Sequence, residues 1–101
     1  MELKELQELV KRTKSKLDEK NKLTWPAMAL LADLVEEVGE LAESIKSAEG
    51  FKPYKEIPRE NVAREVSDIL FSLAVIANHY GVDMGAEFLK VLDGYRDRFL
   101  K

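Results

Sequence analysis

Apolar residues recur at helical spacing along almost the whole chain, and the pattern is interrupted in only three places. Residues 3–19 place Leu3, Leu6, Leu9, Val10 and Leu17 on one helical face, with Lys and Glu between them. "DEKNKLT" reads as a loop, and Pro26 suits the first turn of a second helix running to about Ala48. "EGFKPYKEIP", with Gly50, Pro53 and Pro58, breaks that helix. A third helix is predicted from Arg59 to Tyr80, stopped by Gly81. Asp83 can cap a fourth over residues 84–100. Neither a period-2 alternation nor an internal repeat is evident. The chain reads as all-α: a single domain over residues 1–101, a four-helix bundle-like protomer with short connections.

Composition narrows the function. A chain of 101 residues with 46% hydrophobic residues is globular and can bury a core, without much margin. The absence of cysteine excludes disulfides, thiolate metal sites and cysteine nucleophiles. A net charge of −3 with no long basic block argues against a nucleic-acid polymer or an anionic membrane as partner. "MELKELQELV" lacks the apolar region of a secretory signal, and no run approaches the roughly 18 apolar residues of a membrane span. The expected location is cytoplasmic. A phosphate compound would need its charge offset locally, and a divalent cation would do that.

The carboxylates are placed where such a cation could sit. On the second helix Leu31, Leu34, Val35, Val38, Leu41, Ala42 and Ile45 share a face expected to be core. Glu37 and Glu40 flank it, Asp33 lies one turn before, and Glu36 and Glu43 lie on the other side. Gly39 costs roughly 1 kcal/mol in mid-helix, and close approach of a backbone or ligand would be one use for it. The third helix is apolar nearly all round, and its polar strip is Glu65, Asp68 and Ser72. Arg64 points about 100° from Glu65, so these carboxylates need a cation from elsewhere. If the two helices are antiparallel neighbours, both acidic pairs converge on one point. Hard oxygen donors without a Glu-x-x-His pair suit Mg²⁺ or Mn²⁺ rather than a di-iron centre. The other reading is a solvated face whose acidic pairs are surface charge.

"EEVGELAESI" followed by "NVAREVSDILFSLAVIANHYGVDM" resembles the MazG-like nucleoside triphosphate pyrophosphohydrolases, within the all-α NTP pyrophosphatase group. The resemblance extends from about Trp25 to Phe99. The family pattern E-E-x-x-E, then E-x-x-D, falls on Glu36, Glu37, Glu40, Glu65 and Asp68. It implies Mg²⁺-dependent hydrolysis of (deoxy)nucleoside triphosphates to the monophosphate and pyrophosphate. It also implies a homodimer or homotetramer in which helices of two subunits build the site. Carried over, Glu37, Glu40, Glu65 and Asp68 are metal ligands, with Glu36 structural. Either Glu37 or Glu40 serves as the base that takes a proton from water.

Many members carry a pattern like K-F-x-x-R-F near the C-terminus. Here "GYRDRF" puts Gly94 in the Lys position, keeps the Arg as Arg98, and leaves Arg96 or Lys90 as substitutes. Trp25 is either a stacking platform for a base or a hydrophobic staple at the helix entry. Asn78 either reads a base edge or closes the helix end. His79 reads as a helix-end residue, and Tyr80, Phe88, Tyr95 and Phe99 as packing. Lys52, Lys55 and Arg59 form a loose basic rim. Besides nucleotide-pool housekeeping, two functions stay open. One is a dedicated substrate such as phosphoribosyl-ATP, and the other is a non-enzymatic helical interaction module.

Overall fold

A computed structural model describes residues 1–22, 25–50 and 59–100, apart from the side chains of Arg59 and Glu60. Four helices and no strand occur among the described residues: α1 Leu3–Asn21, α2 Ala27–Ala48, α3 Arg59–His79 and α4 Met84–Phe99. The protein is all-α, with helix ends close to those the breakers predict. Pro26 is the N-cap of α2 and not its first helical residue: its carbonyl accepts from the N–H groups of Ala29 and Leu30 at 3.0 and 3.2 Å. Asp83 caps α4, its side chain accepting from Ala86 N–H at 3.1 Å. Among the described residues no single helix is long and apolar enough to cross a membrane.

The helix stops are local chemistry. Gly81 has φ +66°, and Val82 N–H donates to the Ala77 carbonyl at 2.9 Å while Gly81 N–H donates to Asn78 at 3.2 Å. That double closure satisfies carbonyls the helix would otherwise leave open, and it requires the left-handed residue that glycine supplies. α1 also ends on a left-handed residue, here without a glycine: Lys22 takes φ 51°, ψ 42°, and its N–H makes a single closure on the Asp18 carbonyl.

The chain gathers into two compact units, Met1–Thr24 with Ala74–Lys101, and Trp25–Leu73. In the first, α1 packs on α4. Val10, Ala74 and Val75 are buried there. So is Gln7, whose amide nitrogen donates to Asn78 Oδ1 at 3.0 Å and to the Val82 carbonyl at 2.8 Å. Its Oε1 accepts from Met84 N–H at 2.9 Å, and its backbone carbonyl accepts from Asn78 Nδ2 at 3.0 Å. One buried amide thus ties α1 to the turn between α3 and α4.

In the second unit, Ser72 bonds Glu37 and Ser44 bonds Glu65. Moving forward along α2 from Glu37 to Ser44 moves the partner back along α3 from Ser72 to Glu65 by the same number of residues. The two helices are therefore antiparallel. Ser44 is 2% exposed, and Ser47, Glu65 and Ser72 are buried as well. The expected core stripe of α2 is corrected: Leu31, Val35, Val38 and Ile45 are exposed, Val35 to 63%. The face toward α3 lies about 100° round and carries Leu34, Glu37, Leu41 and Ser44, none of them exposed. Two apolar rows lie side by side on α2, and the polar clasp selects which turns inward.

Lys22 is the one described non-glycine residue in the left-handed region, a conformation costing roughly 1–2 kcal/mol with a Cβ present. Replacing Lys22 with Gly is expected to raise stability by about 1 kcal/mol, read as a higher urea midpoint at unchanged slope.

Candidate active site

Glu37, Ser44, Glu65, Asp68 and Ser72 come together on the α2–α3 pair. Ser72 Oγ donates to Glu37, 3.1 Å from Oε1 and 3.2 Å from Oε2. Ser44 Oγ donates to Glu65, 2.9 and 2.8 Å from its two oxygens. Asp33 and Asp68 act on Glu37 as like charges. Glu40, Asp68 and Glu36 are exposed.

Among the described residues no three acidic or histidine side chains are grouped closely enough to hold a metal ion. Glu37 and Glu65 each face a serine on the other helix, Ser72 and Ser44 respectively. The donor chemistry nonetheless fits a hard divalent cation. Burial, first, pushes the Glu37 carboxyl above its ordinary value of 4.5, as do a hydrogen bond with Asp33 and the charges of Asp33 and Asp68. Ser72 pulls the other way, and no cationic side chain is among the causes. Among the described residues, no positive charge offsets Glu37.

The remaining candidates have neighbours of their own. Asn78 has its amide committed to Gln7, a pairing that joins distant parts of the chain. His79 and Tyr80 meet edge to face at 4.9 Å. Arg98 lies over the rings of Tyr95 and Phe99, at 5.9 and 5.3 Å. Arg96 pairs with Asp93 at 3.6 Å and Lys90 with Glu87 at 3.1 Å, both exposed. A Cβ at Gly94 or Gly39 would meet nothing within 4 Å, so neither glycine is required by a neighbour in this chain. Trp25 is 39% exposed. Lys52, Lys55 and the Arg59 side chain lie outside the described residues. Sequence reasoning missed the donor role of Ser44 and Ser72. The available signal was that each follows a motif glutamate at the same distance.

A carboxyl whose pKa is raised on folding adds stability below its unfolded pKa and loses it as pH rises through the folded one. Glu37→Gln is therefore expected to unfold at higher urea than wild type near pH 7 in a chelator. Near pH 4 the two midpoints should coincide.

The model of the MazG nucleotide pyrophosphohydrolase domain matches residues 26–99. The uncharacterized protein YpjD of Bacillus subtilis (strain 168) is 31% identical over 72 residues. That stretch is 70% of this chain and 65% of the relative, so the match spans less than two thirds of the relative's length. No solved structure matches the chain. The domain match takes in all of α2, α3 and α4, with both acidic couples, and the chain belongs to the MazG nucleotide pyrophosphohydrolase family.

Proposed function

We propose that the protein hydrolyses (deoxy)nucleoside triphosphates to the monophosphate and pyrophosphate with Mg²⁺, or Mn²⁺, as cofactor. The supporting observation is an acidic couple shared by two helices, Glu37 on α2 and Asp68 on α3, in a chain of this family. Glu37, Glu40, Glu65 and Asp68 would hold the ion. When bound, it would offset the charge of the polyphosphate and acidify a water.

Glu40, exposed on α2, takes the proton as the water oxygen attacks the α-phosphorus. Glu37, whose proton affinity is already raised, is the alternative acceptor. The bond from the α-phosphorus to the bridging oxygen breaks, and pyrophosphate leaves with the electron pair. Phosphate contacts are proposed for Arg98 and Arg96, and base stacking for Trp25.

A homodimer or homotetramer is part of the reading. Met28, Leu31, Val35, Val38, Ala42 and Ile45 recur at alternating spacings of three and four on the exposed side of α2. That is the row a helix presents to a like helix in knobs-into-holes packing.

Two experiments test this reading. In a panel of canonical and damaged (deoxy)nucleoside triphosphates with Mg²⁺, at least one should release pyrophosphate. Glu40→Gln and Asp68→Asn should cut turnover by roughly 100-fold or more with helical content retained. Either variant at the wild-type rate contradicts the assignment. Val35→Glu should shift the assembly to a monomer in light scattering, and a wild type that is a stable, active monomer removes the oligomeric reading.

A further inference from the structure

Glycine inside a long helix lowers stability against alanine, and close approach of a neighbour is one reason to keep it. Gly39 stands in the middle of α2, yet a Cβ there would meet nothing within 4 Å in this chain. The glycine is therefore explained by no contact of its own chain. By helical geometry it points about 180° away from the middle of the row that faces α3, Leu34, Glu37, Leu41 and Ser44.

The face around Gly39 is open. Val35, Val38 and Ala42 lie within a turn of it and are exposed, Val35 to 63%. Glu36 and Lys46 border the same face, on either side of Gly39 along the helix. Both are exposed, and neither forms an ion pair among the described residues. About 15 Å of helix separates them, too far for pairing within one chain. An antiparallel pair of α2 helices with its two-fold axis beside Gly39 removes that separation. Lys46 of a second copy then comes opposite Ala32. Its side chain leans toward its own helix N-terminus, which in this orientation runs toward Glu36. Symmetry forms the ion pair twice. The same register sets the second copy's Ala42 against Val38 and its Ile45 against Val35. The two glycines meet where the backbones come nearest. A parallel pair would instead set Lys46 beside Lys46, Glu36 beside Glu36 and Ala42 beside Ala42, joining like charges and leaving a gap.

We propose that a second copy of the chain docks its α2 antiparallel on this face, crossing at Gly39, with Glu36 of each copy paired to Lys46 of the other. This rests on the homo-oligomeric reading above and gives it an orientation and a register.

The chain has no cysteine, so introduced thiols can be read without interference. Full-length Ala32→Cys and Lys46→Cys chains are kept apart or mixed, then treated with a short bismaleimide. Links between chains are expected only in the mixture, because positions 32 and 46 lie about 21 Å apart along one helix. Links within either type alone, or none in the mixture, overturn the proposal. Gly39→Leu should keep its helical content and run as a monomer in light scattering. Lys46→Glu should weaken the dimer by about tenfold, and adding Glu36→Lys should restore it. A dimer indifferent to these changes overturns the proposal while leaving assembly through another face, and the enzymatic reading, in place. A monomeric wild type removes the homo-oligomeric reading together with it.

Discussion

Two serine hydroxyls let a pair of glutamates face the interior of α2–α3, and the geometry of that pair follows from them. A carboxylate buried without a partner costs several kcal/mol. A lysine or arginine would remove the cost by cancelling the charge, and would leave no anionic site. A hydroxyl satisfies one lone pair and leaves the charge in place. Glu65 can thus be buried at 8% exposure with a partner on the other helix. The same bonds pin the register. Turning either helix by one residue would swing its serine about 100° away and break both bonds at once.

That choice of inward face decides what α2 offers outside. With the Glu37–Ser44 row turned toward α3, the Met28–Ile45 row is left uncovered. Full burial of a Val, Leu, Ile or Met side chain is worth roughly 1.5–3 kcal/mol. Five such side chains hold more than a small domain can readily forgo. The buried apolar residues among those described are only Val10, Ala74 and Val75. The proposed second copy would cover that row, and its regular spacing suits a helix of the same kind.

Elements that depend on local chemistry were legible in the sequence. Helix spans, the Asp83 cap and the Gly81 stop came out nearly as read, because each depends on neighbours a few residues apart. The facing of α2 was not legible. Two apolar rows lie side by side there, and periodicity cannot rank them when the deciding contacts come from α3. The pairing of Asn78 was not legible for a related reason: its partner Gln7 is distant in the chain and unremarkable in composition. The acidic couples stood out as residue types, but that each glutamate faces a hydroxyl follows only from an antiparallel register.

The two serine–glutamate bonds are alike in kind and unequal in their surroundings, which separates the duties of the two ends. One turn before Glu37 stands Asp33; one turn before Glu65 stands the neutral Asn61. The residues just before the serines are Ala42 and Glu43 on α2 but Leu70 and Phe71 on α3. Glu65 is accordingly buried with the shorter bonds, an anchor in apolar company. Glu37 is half-buried and held at 3.1–3.2 Å, and its proton affinity is raised first by burial and then by Asp33 and Asp68. Repulsion between like charges is relieved most by whatever brings positive charge to them. The Glu37 end thus carries the like charges, and the Glu65 end holds the two helices in register.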